Sequence, residues 1–590
     1  MTSFEETQKS IGGNLWKLLQ ADERAVELMM QKFNLPYLIA RILVLRGVGV
    51  DEAGSFLEPK IQKLMPNPDV LKDMNKAAKR IAQAVMTQEQ IAIIGDYDVD
   101  GATSSSVLRL FLEEAGSKPL IHIPEREEGY GPSKQAVDAF KAQGATLLIT
   151  VDCGTTAFEP LEYAAAQGID VIVIDHHEAE ARLPQIYAVV NPKRLDEEND
   201  FPYLKFLAAV GVAFMAVVAV NRELRAQKFY SDAKPEPDLL KWLDLVALGT
   251  VCDVVPLKGL NRAYVRQGLK IMANRNNIGL TALIDKANLS EAPTAFHLGF
   301  VLGPRINASG RVGDADMSHK LLCCTDSYQA QLMADKLNEY NVARKDIEAY
   351  VMLQAIEMLE GTPQAYPIAF VAGEDWHQGV IGIVAGKLKE RYNVPSFVMS
   401  IEADEVKGSA RSIPQVDLGA LIIAAKEKGL ITKGGGHTMA AGFSLEKEQI
   451  EAFRDFVGQY VVEKIGSEAV TPVLDIDAEL DAAGANLELV DYLEKLEPYG
   501  AGNKEPLIVL KNVHLIKPTL IGVGHVRCVL SSANGGSLKA MAFRVGDNDI
   551  GHAMLTAKGE NFDVAGVLRR DRWQGRNEVQ FILSDIRRAG

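Results

Sequence analysis

The stretch "IAIIGDYDVDGATSSS", residues 91–106, places three aspartates within five positions directly after an apolar run. Asp96, Asp98 and Asp100 repel one another unless something compensates their charge, because neighbouring like charges disfavour ionisation. The run before them has the continuous apolar character of a strand that is buried on both faces of a parallel sheet. The stretch therefore predicts a buried strand that ends in a cluster of negative charge.

The bulk composition predicts a large globular protein. A chain of 590 residues is too long for one hydrophobic core, so we expect about three or four domains. Its 63 basic and 78 acidic residues give a net charge of −15, which argues against a surface coated in positive charge. A polyanionic partner would need a local basic groove, with metal ions masking the carboxylates near it.

Three features predict a cytoplasmic protein. The five cysteines have no CxxC spacing, which is typical of reduced thiols. The beginning of the sequence, "MTSFEETQKSIGGNLW", lacks the basic region and apolar core of a secretory signal. The apolar run at residues 206–220 is short for a membrane span and predicts a buried helix.

Strand and helix patterns alternate from about residue 66 onward. The apolar segments "IAIIG", "PLIHIP", "TLLITVD" and "VIVIDHH" are separated by amphipathic helical segments. This alternation is typical of an α/β fold in which helices cover both faces of a parallel sheet.

The patterns divide the chain into five parts. Residues 1–65 are helical with a break at Pro36, and residues 66–325 hold the parallel-sheet domain. Residues 326–361 predict one long connecting helix. A smaller α/β pattern covers residues 362–465, and the short strands of residues 466–590 predict a small β-barrel.

Acidic and imidazole side chains follow several strands of the predicted sheet. Asp152 ends "LLITVDCG", and Asp175, His176 and His177 end "VIVIDHH", while Asp253 follows a helix. Each aspartate could simply cap the next helix, since Asp is favoured at that position. The carboxyl ends of parallel strands share one edge, however, so several such sites together favour a metal centre. Oxygen ligands with one or two imidazoles indicate two Mn²⁺ or Mg²⁺ ions, which would neutralise the carboxylates and activate water.

The motifs "DYDVDG", "VDCG", "DHH" and "CDVVPL", in this order and spacing, resemble those of the DHH phosphoesterase family. "GPRINASGRVGDA", "GSARS", "GGGHTMAAGFSL" and the β-rich C-terminal segment resemble the single-strand-specific exonuclease branch, with its DHH-associated domain and OB fold. By position, the resemblance implies two metals bound by Asp98, Asp100, Asp152, His176 and Asp253, with Asp152 bridging. Many family members have a histidine where this chain has Ile94, so Asp96 or water could complete the first metal's ligands.

The resemblance also implies catalytic and DNA-binding residues. We assign catalytic roles to His177, Asp175 and His437; His177 is placed either beside the scissile phosphate or behind the metal ligands. The residues assigned to DNA or a 5′-phosphate are Arg126, Arg305, Asn307, Arg311, Ser409, Arg411, Gly435 and Gly436. Two alternatives stay open: "RINASGR" as a turn-prone surface loop with solvated arginines, and "GGGH" as a plain flexible turn.

The C-terminal segment carries a basic cluster that contrasts with the acidic chain. We assign single-strand contacts on the predicted OB fold to Arg569, Arg572, Trp573 and Arg576. Guanidinium groups beside an aromatic ring suit backbone tracking with base stacking. The alternative is a β-hairpin with a solvated basic face.

These features together predict a 5′→3′ single-stranded DNA exonuclease that releases nucleoside 5′-monophosphates. The resemblance implies roles in DNA recombination and repair, with a helicase and a single-strand-binding protein as partners, and we expect a monomer. Two alternatives remain: a phosphodiesterase acting on short oligonucleotides or cyclic dinucleotides, and a non-catalytic DNA-binding replication factor.

Overall fold

Short helices follow one strand at the beginning of the described chain. The structure, a computed structural model, describes residues 8–361, 365–572 and 575–589. The first elements are β1 (Leu15–Leu18), α1 (Glu23–Phe33), α2 (Tyr37–Leu45), α3 (Ala53–Leu57) and α4 (Ile61–Leu64). The predicted break at Pro36 is confirmed, since α1 ends before it and α2 begins after it.

A five-stranded parallel sheet forms the centre of the next region. Its elements are α5 (Met74–Met86), β2 (Gln90–Ile94), α6 (Val99–Glu114), β3 (Leu120–His122), α7 (Lys134–Ala142), β4 (Ala145–Val151), α8 (Phe158–Ala166), β5 (Asp170–Ile174) and β6 (Ala188–Val190). The strand order is β3-β2-β4-β5-β6, with all neighbours parallel. One apolar cluster packs α5 and α6 on one face, and a second packs α7 and α8 on the other. The predicted parallel sheet covered on both faces is confirmed.

A helical layer follows the sheet. It contains α9 (Ala209–Ala226), α10 (Leu243–Cys252), α11 (Gly259–Ala273), α12 (Ile278–Lys286), α13 (Ala295–His297), α14 (Gly303–Val312), α15 (Met317–Leu322) and α16 (Ser327–Gly361). The predicted buried helix is α9, and the predicted long helix is α16, with 35 residues. Among the residues that the structure describes, no helix is long and apolar enough to cross a membrane.

The segment "RINASGR" is a helix, so its interpretation as a turn-prone loop was wrong. It lies within α14, which packs against α16. Gly310 is required there because a Cβ atom would lie 2.6 Å from the main-chain oxygen of Tyr97. Tertiary packing thus overrides the weak helix preference of the small and polar residues.

A second, smaller sheet follows α16. Its elements are β7 (Ala369–Glu374), α17 (Gln378–Tyr392), β8 (Ser396–Glu402), β9 (Glu405–Arg411), α18 (Leu418–Glu427), β10 (Lys433–His437), β11 (Ala440–Glu446) and α19 (Ile450–Ile465). The order is β10-β11-β9-β8-β7, with only β7 and β8 parallel. The "GGGH" segment forms the edge strand β10, which corrects its interpretation as a flexible turn.

A β-barrel completes the chain. Its region contains β12 (Val473–Ile476), β13 (Ala478–Leu480), α20 (Leu487–Lys495), β14 (Ile508–Ile521), β15 (His525–Ser532), β16 (Ser537–Ala542), α21 (Asp549–Thr556), β17 (Asn561–Asp571) and β18 (Glu578–Arg588). Pairing of β14 with β17 closes the ring β14-β15-β16-β18-β17, which confirms the predicted barrel. The barrel shares its apolar core with α1 and α2, and β1 pairs in parallel with β12.

Candidate metal centre

The predicted acidic and imidazole residues meet at the carboxyl edge of the parallel sheet. The loop after β2 supplies Asp96 and Asp98, the end of β4 supplies Asp152, and the end of β5 supplies His176. Potential ligand atoms lie within 4.8 Å of one another in three overlapping groups: Asp152, His176 and His177; Asp100, His176 and Asp253; Asp96, Asp98 and Asp152. The six residues that we assigned to metal binding are therefore brought together.

Close backbone packing brings the first aspartates so near one another. Gly101, directly after Asp100, lies in α6 against the loop that carries Asp96. A Cβ atom at this glycine would lie 2.4 Å from the main-chain oxygen of Asp96. Any larger residue would push this loop away from the sheet edge.

His176 presents an unshared electron pair to the carboxylates. Its Nδ1 donates a hydrogen bond to the Leu207 carbonyl at 3.1 Å, which places the ring proton on that nitrogen. Its Nε2 faces Asp152 Oδ1 at 3.3 Å and Asp100 Oδ2 at 3.8 Å. Burial lowers the pKa of this histidine, so the ring stays neutral. A lone pair that faces two carboxylates fits a metal ligand.

The carboxylates themselves carry too much buried negative charge for the protein alone. Burial, followed by repulsion from neighbouring carboxylates, raises the pKa values of Asp96, Asp100 and Asp253 to about 7. The same causes raise the pKa of Asp152 well above its usual value. Among the described residues, Asp96 Oδ1, Asp253 Oδ2 and His176 Nε2 have no hydrogen-bond partner. Divalent cations would supply the missing positive charge, so the residues present fit the implied metal pair.

Helix ends compensate part of this charge. Asp98 caps α6 by accepting hydrogen bonds from the main-chain N–H groups of Asp100 and Gly101, at 2.8 and 3.0 Å. Asp100 accepts from the first N–H groups of α9, at Ala209 and Val210. The capping alternative therefore holds for Asp98, without excluding metal binding through its second oxygen.

Two residues of the centre adopt left-handed backbone conformations. Asp152 has φ +59°, and Val254, directly after Asp253, also has φ +59°. Aspartate tolerates this region, whereas a β-branched valine is strained there. Such strain is typical of functional sites, where the surrounding structure holds a residue in place.

His177 and Asp175 form a charged pair beside the cluster. His177 Nδ1 lies 2.8 Å from Asp175 Oδ1, which also accepts a hydrogen bond from the main-chain N–H of His176. Burial alone would lower the pKa of His177, but the hydrogen bond and charge of Asp175 outweigh it and raise the pKa to about 9. Burial would raise the pKa of Asp175, but the hydrogen bonds from His177 and Thr155 lower it. The pair thus presents an imidazolium at the mouth of the site.

A group of arginines lies where α14 meets the second sheet. Arg126 donates to the Gly310 carbonyl at 3.1 Å. Arg311, which follows Gly310 in the chain, donates to the Gly379 carbonyl at 2.9 Å. Arg411 and Ser409 lie against Gly382 in the second turn of α17. Burial and the charges of neighbouring arginines lower the pKa of Arg311 to about 10. Four of the residues assigned to a 5′-phosphate are thus arranged along one junction, and their role stays a prediction.

Other predicted contacts lie elsewhere. Arg305 is held by Asn338 of α16 and the Val301 carbonyl, while Asn307 is half-buried in α14. Gly435, Gly436 and His437 lie on the edge strand β10, where the main-chain N–H of Met439 contacts His437 Nδ1 at 3.4 Å. Their roles also stay predictions.

The arginines of the barrel are paired with acids. Arg569 binds Glu505, Arg572 binds Glu494 at 2.9 Å, and Arg576 lies 3.5 Å from Asp571. The expected free basic surface is therefore largely neutralised. Trp573 lies outside the described residues.

Three residues near these sites were not predicted. The Tyr130 hydroxyl donates to the Asp152 carbonyl at 2.8 Å and lies 3.3 Å from His177 Nδ1. Tyr97 supports the guanidinium of Arg126, 4.5 Å from its ring centroid. Arg344 of α16 adds positive charge near Arg311. Tyr97 lies within the motif "DYDVDG", and Tyr130 lies close along the chain to the assigned Arg126. Arg344 lies in the middle of α16, and no motif around it indicates a role in binding.

The sheet, its metal-binding edge and the attached second sheet define a DHH phosphoesterase. Family models match residues 90–250 as "DHH family, N-terminal domain", residues 364–463 as "DHHA1 domain" and residues 476–585 as "RecJ OB domain". The chain is 34% identical over 571 residues to the "Single-stranded-DNA-specific exonuclease RecJ" of Escherichia coli strain K12, covering 94% of this chain and 96% of that protein.

Solved structures agree with these matches. RecJ from Thermus thermophilus in complex with Mn²⁺ superposes with a TM-score of 0.80 at 27% identity, covering 98% of this chain and 80% of that chain. Its complex with Mg²⁺ gives a TM-score of 0.74 at 26% identity, covering 98% and 78%. The chain belongs to the RecJ family.

Proposed function

We propose that this chain is a metal-dependent 5′→3′ exonuclease of single-stranded DNA that releases nucleoside 5′-monophosphates. The observation that carries the proposal is the set of buried carboxylates around the neutral imidazole of His176. Divalent cations would balance the negative charge that the helix ends leave uncompensated. The names of the relatives, which describe single-stranded-DNA-specific exonucleases, support the substrate.

Six residues would hold two Mn²⁺ or Mg²⁺ ions: Asp96, Asp98, Asp100, Asp152, His176 and Asp253. When bound, such a pair stabilises charge on a phosphoryl group and lowers the pKa of water. The Mn²⁺ and Mg²⁺ complexes of the Thermus relative support this choice of metals. Asp152 and His176 each belong to two of the three ligand groups. Of the two, only the carboxylate of Asp152 has two oxygens to offer, which supports its assignment as the bridging residue.

The protein's own residues orient the substrate around that centre. Asp175 fixes the His177 ring through its Nδ1 at 2.8 Å, which leaves Nε2 to contact a phosphate oxygen or the leaving oxygen. Tyr130 braces the same ring, with centroids 5.8 Å apart. Of the two positions predicted for His177, this geometry favours the one beside the scissile phosphate over the one behind the metal ligands.

The arginine junction would set the polarity. Arg126, Arg311, Ser409 and Arg411 can bind a terminal phosphate through charge-assisted hydrogen bonds. Such a site would admit a 5′-phosphorylated terminus and exclude an internal stretch of DNA. Cleavage then proceeds from the 5′ end.

By family membership, we place the activity in DNA recombination and repair in the cytoplasm. The proposed partners are a helicase, which unwinds duplex DNA, and a single-strand-binding protein, which covers the strand that the helicase releases. The monomeric state is proposed as well.

Two alternative functions fit parts of the same fold. A phosphodiesterase of short oligonucleotides or cyclic dinucleotides would use the same centre, but the attached barrel favours long strands. A non-catalytic replication factor would not need the complete set of carboxylates that this chain retains. Comparing hydrolysis of long single strands with that of dinucleotides separates these possibilities.

The experiment that tests the proposal replaces the bridging carboxylate. Asp152→Asn should reduce Mn²⁺-dependent release of nucleotides from 5′-phosphorylated single strands by at least about 100-fold, because one carboxylate serves both metals. Binding of the same DNA should persist, and calorimetry should show weaker binding of Mn²⁺. Asp138→Asn, on the exposed face of α7, is the matched control. Wild-type rates in Asp152→Asn would exclude the bridging role.

A further inference from the structure

Two exposed aromatic rings lie on consecutive helical segments beside the metal centre: Phe296 is in α13, and Phe300 is in the π-helical turn Leu298–Leu302 that follows. Phe296 and Phe300 are 57% and 72% exposed. Their ring centroids lie 5.1 Å apart with an interplanar angle of 27°, so the rings stack on each other. The His297 ring packs against Phe296 with centroids 5.8 Å apart, and Phe300 is the more exposed ring of the pair. Two such rings in water gain little stability for the fold, and exposed apolar patches of this kind mark binding sites.

The backbone beneath the rings is firmly anchored. Leu298 and Leu302, on the opposite face of the turn, are fully buried in the main apolar core. At its start, Thr294 and His297 form a reciprocal capping box around α13. The turn itself, Leu298–Leu302, is a π-helix, a form that is frequent at functional sites. The structure thus holds the rings in a fixed position on the surface.

This turn is continuous with the metal centre. The Cys252 thiol contacts the Leu298 carbonyl at 3.4 Å, and Cys252 directly precedes Asp253. A Cβ atom at Gly299 would touch the Val251 side chain at 3.6 Å. The turn that carries Phe300 therefore packs against the end of α10 that precedes a proposed metal ligand.

The same turn leads directly into α14, whose far end carries Arg311. A helix of 10 residues is about 15 Å long, so the aromatic pair and the arginine junction lie at opposite ends of α14. That separation spans a few nucleotides of an extended strand. A single strand with its 5′ end among the arginines would pass the rings soon after the scissile phosphate.

We propose that Phe296 and Phe300 form a stacking platform for an unpaired base a few nucleotides from the 5′ end. The inference rests on the proposed exonuclease function and names the part of the substrate that these residues recognise. A base has an open π-face only when it is unpaired, so the platform would contribute to selection of single strands and would tolerate any sequence. An aliphatic ligand would gain nothing from the π-faces of two stacked rings.

The test combines protein variants with abasic DNA. The double variant Phe296→Ala/Phe300→Ala should raise KM for short 5′-phosphorylated strands between about 5-fold and about 100-fold, the range for loss of one base–aromatic stack. In the wild type, removing a single base should raise KM by a similar factor at one position near the 5′ end. In the double variant, the same abasic position should have no further effect.

Two controls make the result specific. Phe296→Leu/Phe300→Leu keeps apolar surface without a π-face and should behave like the alanine variant, whereas Tyr350→Ala, an exposed aromatic on α16, should behave like wild type. Because both phenylalanines are exposed, all variants should keep the wild-type melting temperature.

Three outcomes would overturn the platform. The first is an unchanged KM in the alanine variant, and the second is a wild-type KM in the leucine variant. The third is an alanine variant whose KM rises by the same factor on the abasic strand as on the complete strand. Each of these leaves the exonuclease proposal intact as long as the wild type degrades the strand. A wild type that releases no nucleotides would instead remove the exonuclease proposal.

Discussion

At the scale of single residues, Arg411 shows how a charged group can set the polarity of cleavage. It is half-buried, and burial lowers the pKa of its guanidinium without an acidic neighbour to offset the cost. It donates to the Ala410 carbonyl at 2.8 Å and lies near the Ser409 hydroxyl. The other N–H groups of its guanidinium can therefore donate to an anion. A buried cation without a carboxylate is a costly arrangement that an incoming phosphate would relieve.

We therefore expect Arg411→Gln to weaken recognition of 5′-phosphorylated ends. Hydrogen bonds to charged groups contribute about 1.5–3 kcal/mol, so KM for phosphorylated ends should rise about 10- to 100-fold. KM for 5′-hydroxyl ends should hardly change. Steady-state kinetics on the two substrates measures the effect.

Arg222→Gln is the matched control for this prediction. Arg222 of α9 is also half-buried, but its donors are engaged by Asn67 and Asp69. It should retain the preference for phosphorylated ends. An equal loss on both kinds of end in Arg411→Gln would assign this arginine to general DNA binding instead.

At the scale of helices and strands, local pattern predicted most of the elements. The apolar strands of the sheet, the buried α9 and the long α16 follow from periodicity alone. The sequence also predicted which strand ends supply the carboxylates, because parallel topology brings those ends to one edge.

Contacts between distant segments could not be predicted in this way. The helix α14 forms because Gly310 fits against Tyr97, more than two hundred positions away. The barrel arginines are neutralised by acids such as Glu505 and Glu494, which local charge counting around residue 570 does not include. Both contacts involve partners that only the folded chain brings together, and the assignment of DNA contacts to the barrel arginines stays a prediction.

One such contact, between α15 and α6, predicts a pH dependence of stability. The fully buried His319 of α15 has Nδ1 2.9 Å from Ser105 Oγ, and Arg109 contacts its Nε2 at 3.2 Å. Burial, reinforced by the positive charges of Arg109 and Lys320, lowers the pKa of this histidine to about 3. The folded protein therefore binds fewer protons here than the unfolded chain, whose histidines titrate near 6.5.

Stability from this site is fully present above pH 6.5 and falls as the pH drops from there toward about 3. The expected slope is about 1.4 kcal/mol per pH unit. His319→Gln removes the titrating group and should make the urea midpoint less sensitive to pH between about 4 and 6.5. His514→Gln, on the exposed surface of β14, should keep the wild-type dependence. Parallel curves for wild type and His319→Gln would contradict the assignment.

At the scale of the whole molecule, one buried arginine joins the catalytic region to the barrel. Arg262 of α11 is fully buried and donates to the carbonyls of Phe56, Leu496 and Glu497, at 2.8, 2.9 and 2.7 Å. Its guanidinium lies 3.8 Å from the Phe56 ring centroid. Burial lowers its pKa to about 9, which still leaves the guanidinium charged and donating at neutral pH. Helical segment, catalytic region and barrel thus meet at a single side chain.

We expect Arg262→Met to loosen this junction. Each carbonyl left buried without a donor costs about 1–3 kcal/mol, so the first thermal transition should fall by several degrees. Limited proteolysis should then cut faster between the catalytic region and the barrel. Hydrolysis of short 5′-phosphorylated strands should be preserved, because the metal centre lies within the catalytic region. The rate on long single strands should fall, because the barrel proposed to bind them is held less firmly.

Arg266→Met provides the comparison on the same helix. Arg266 lies one turn further along α11, and its closest contact is the Leu57 carbonyl at 2.6 Å, with less burial. Arg266→Met should lower the midpoint of the thermal transition less than Arg262→Met does. It should leave the ratio of long-strand to short-strand hydrolysis unchanged. If Arg262→Met matched Arg266→Met in melting, proteolysis and that ratio, the barrel would be held by its apolar contacts alone. The arginine would then serve only to satisfy the carbonyls around it.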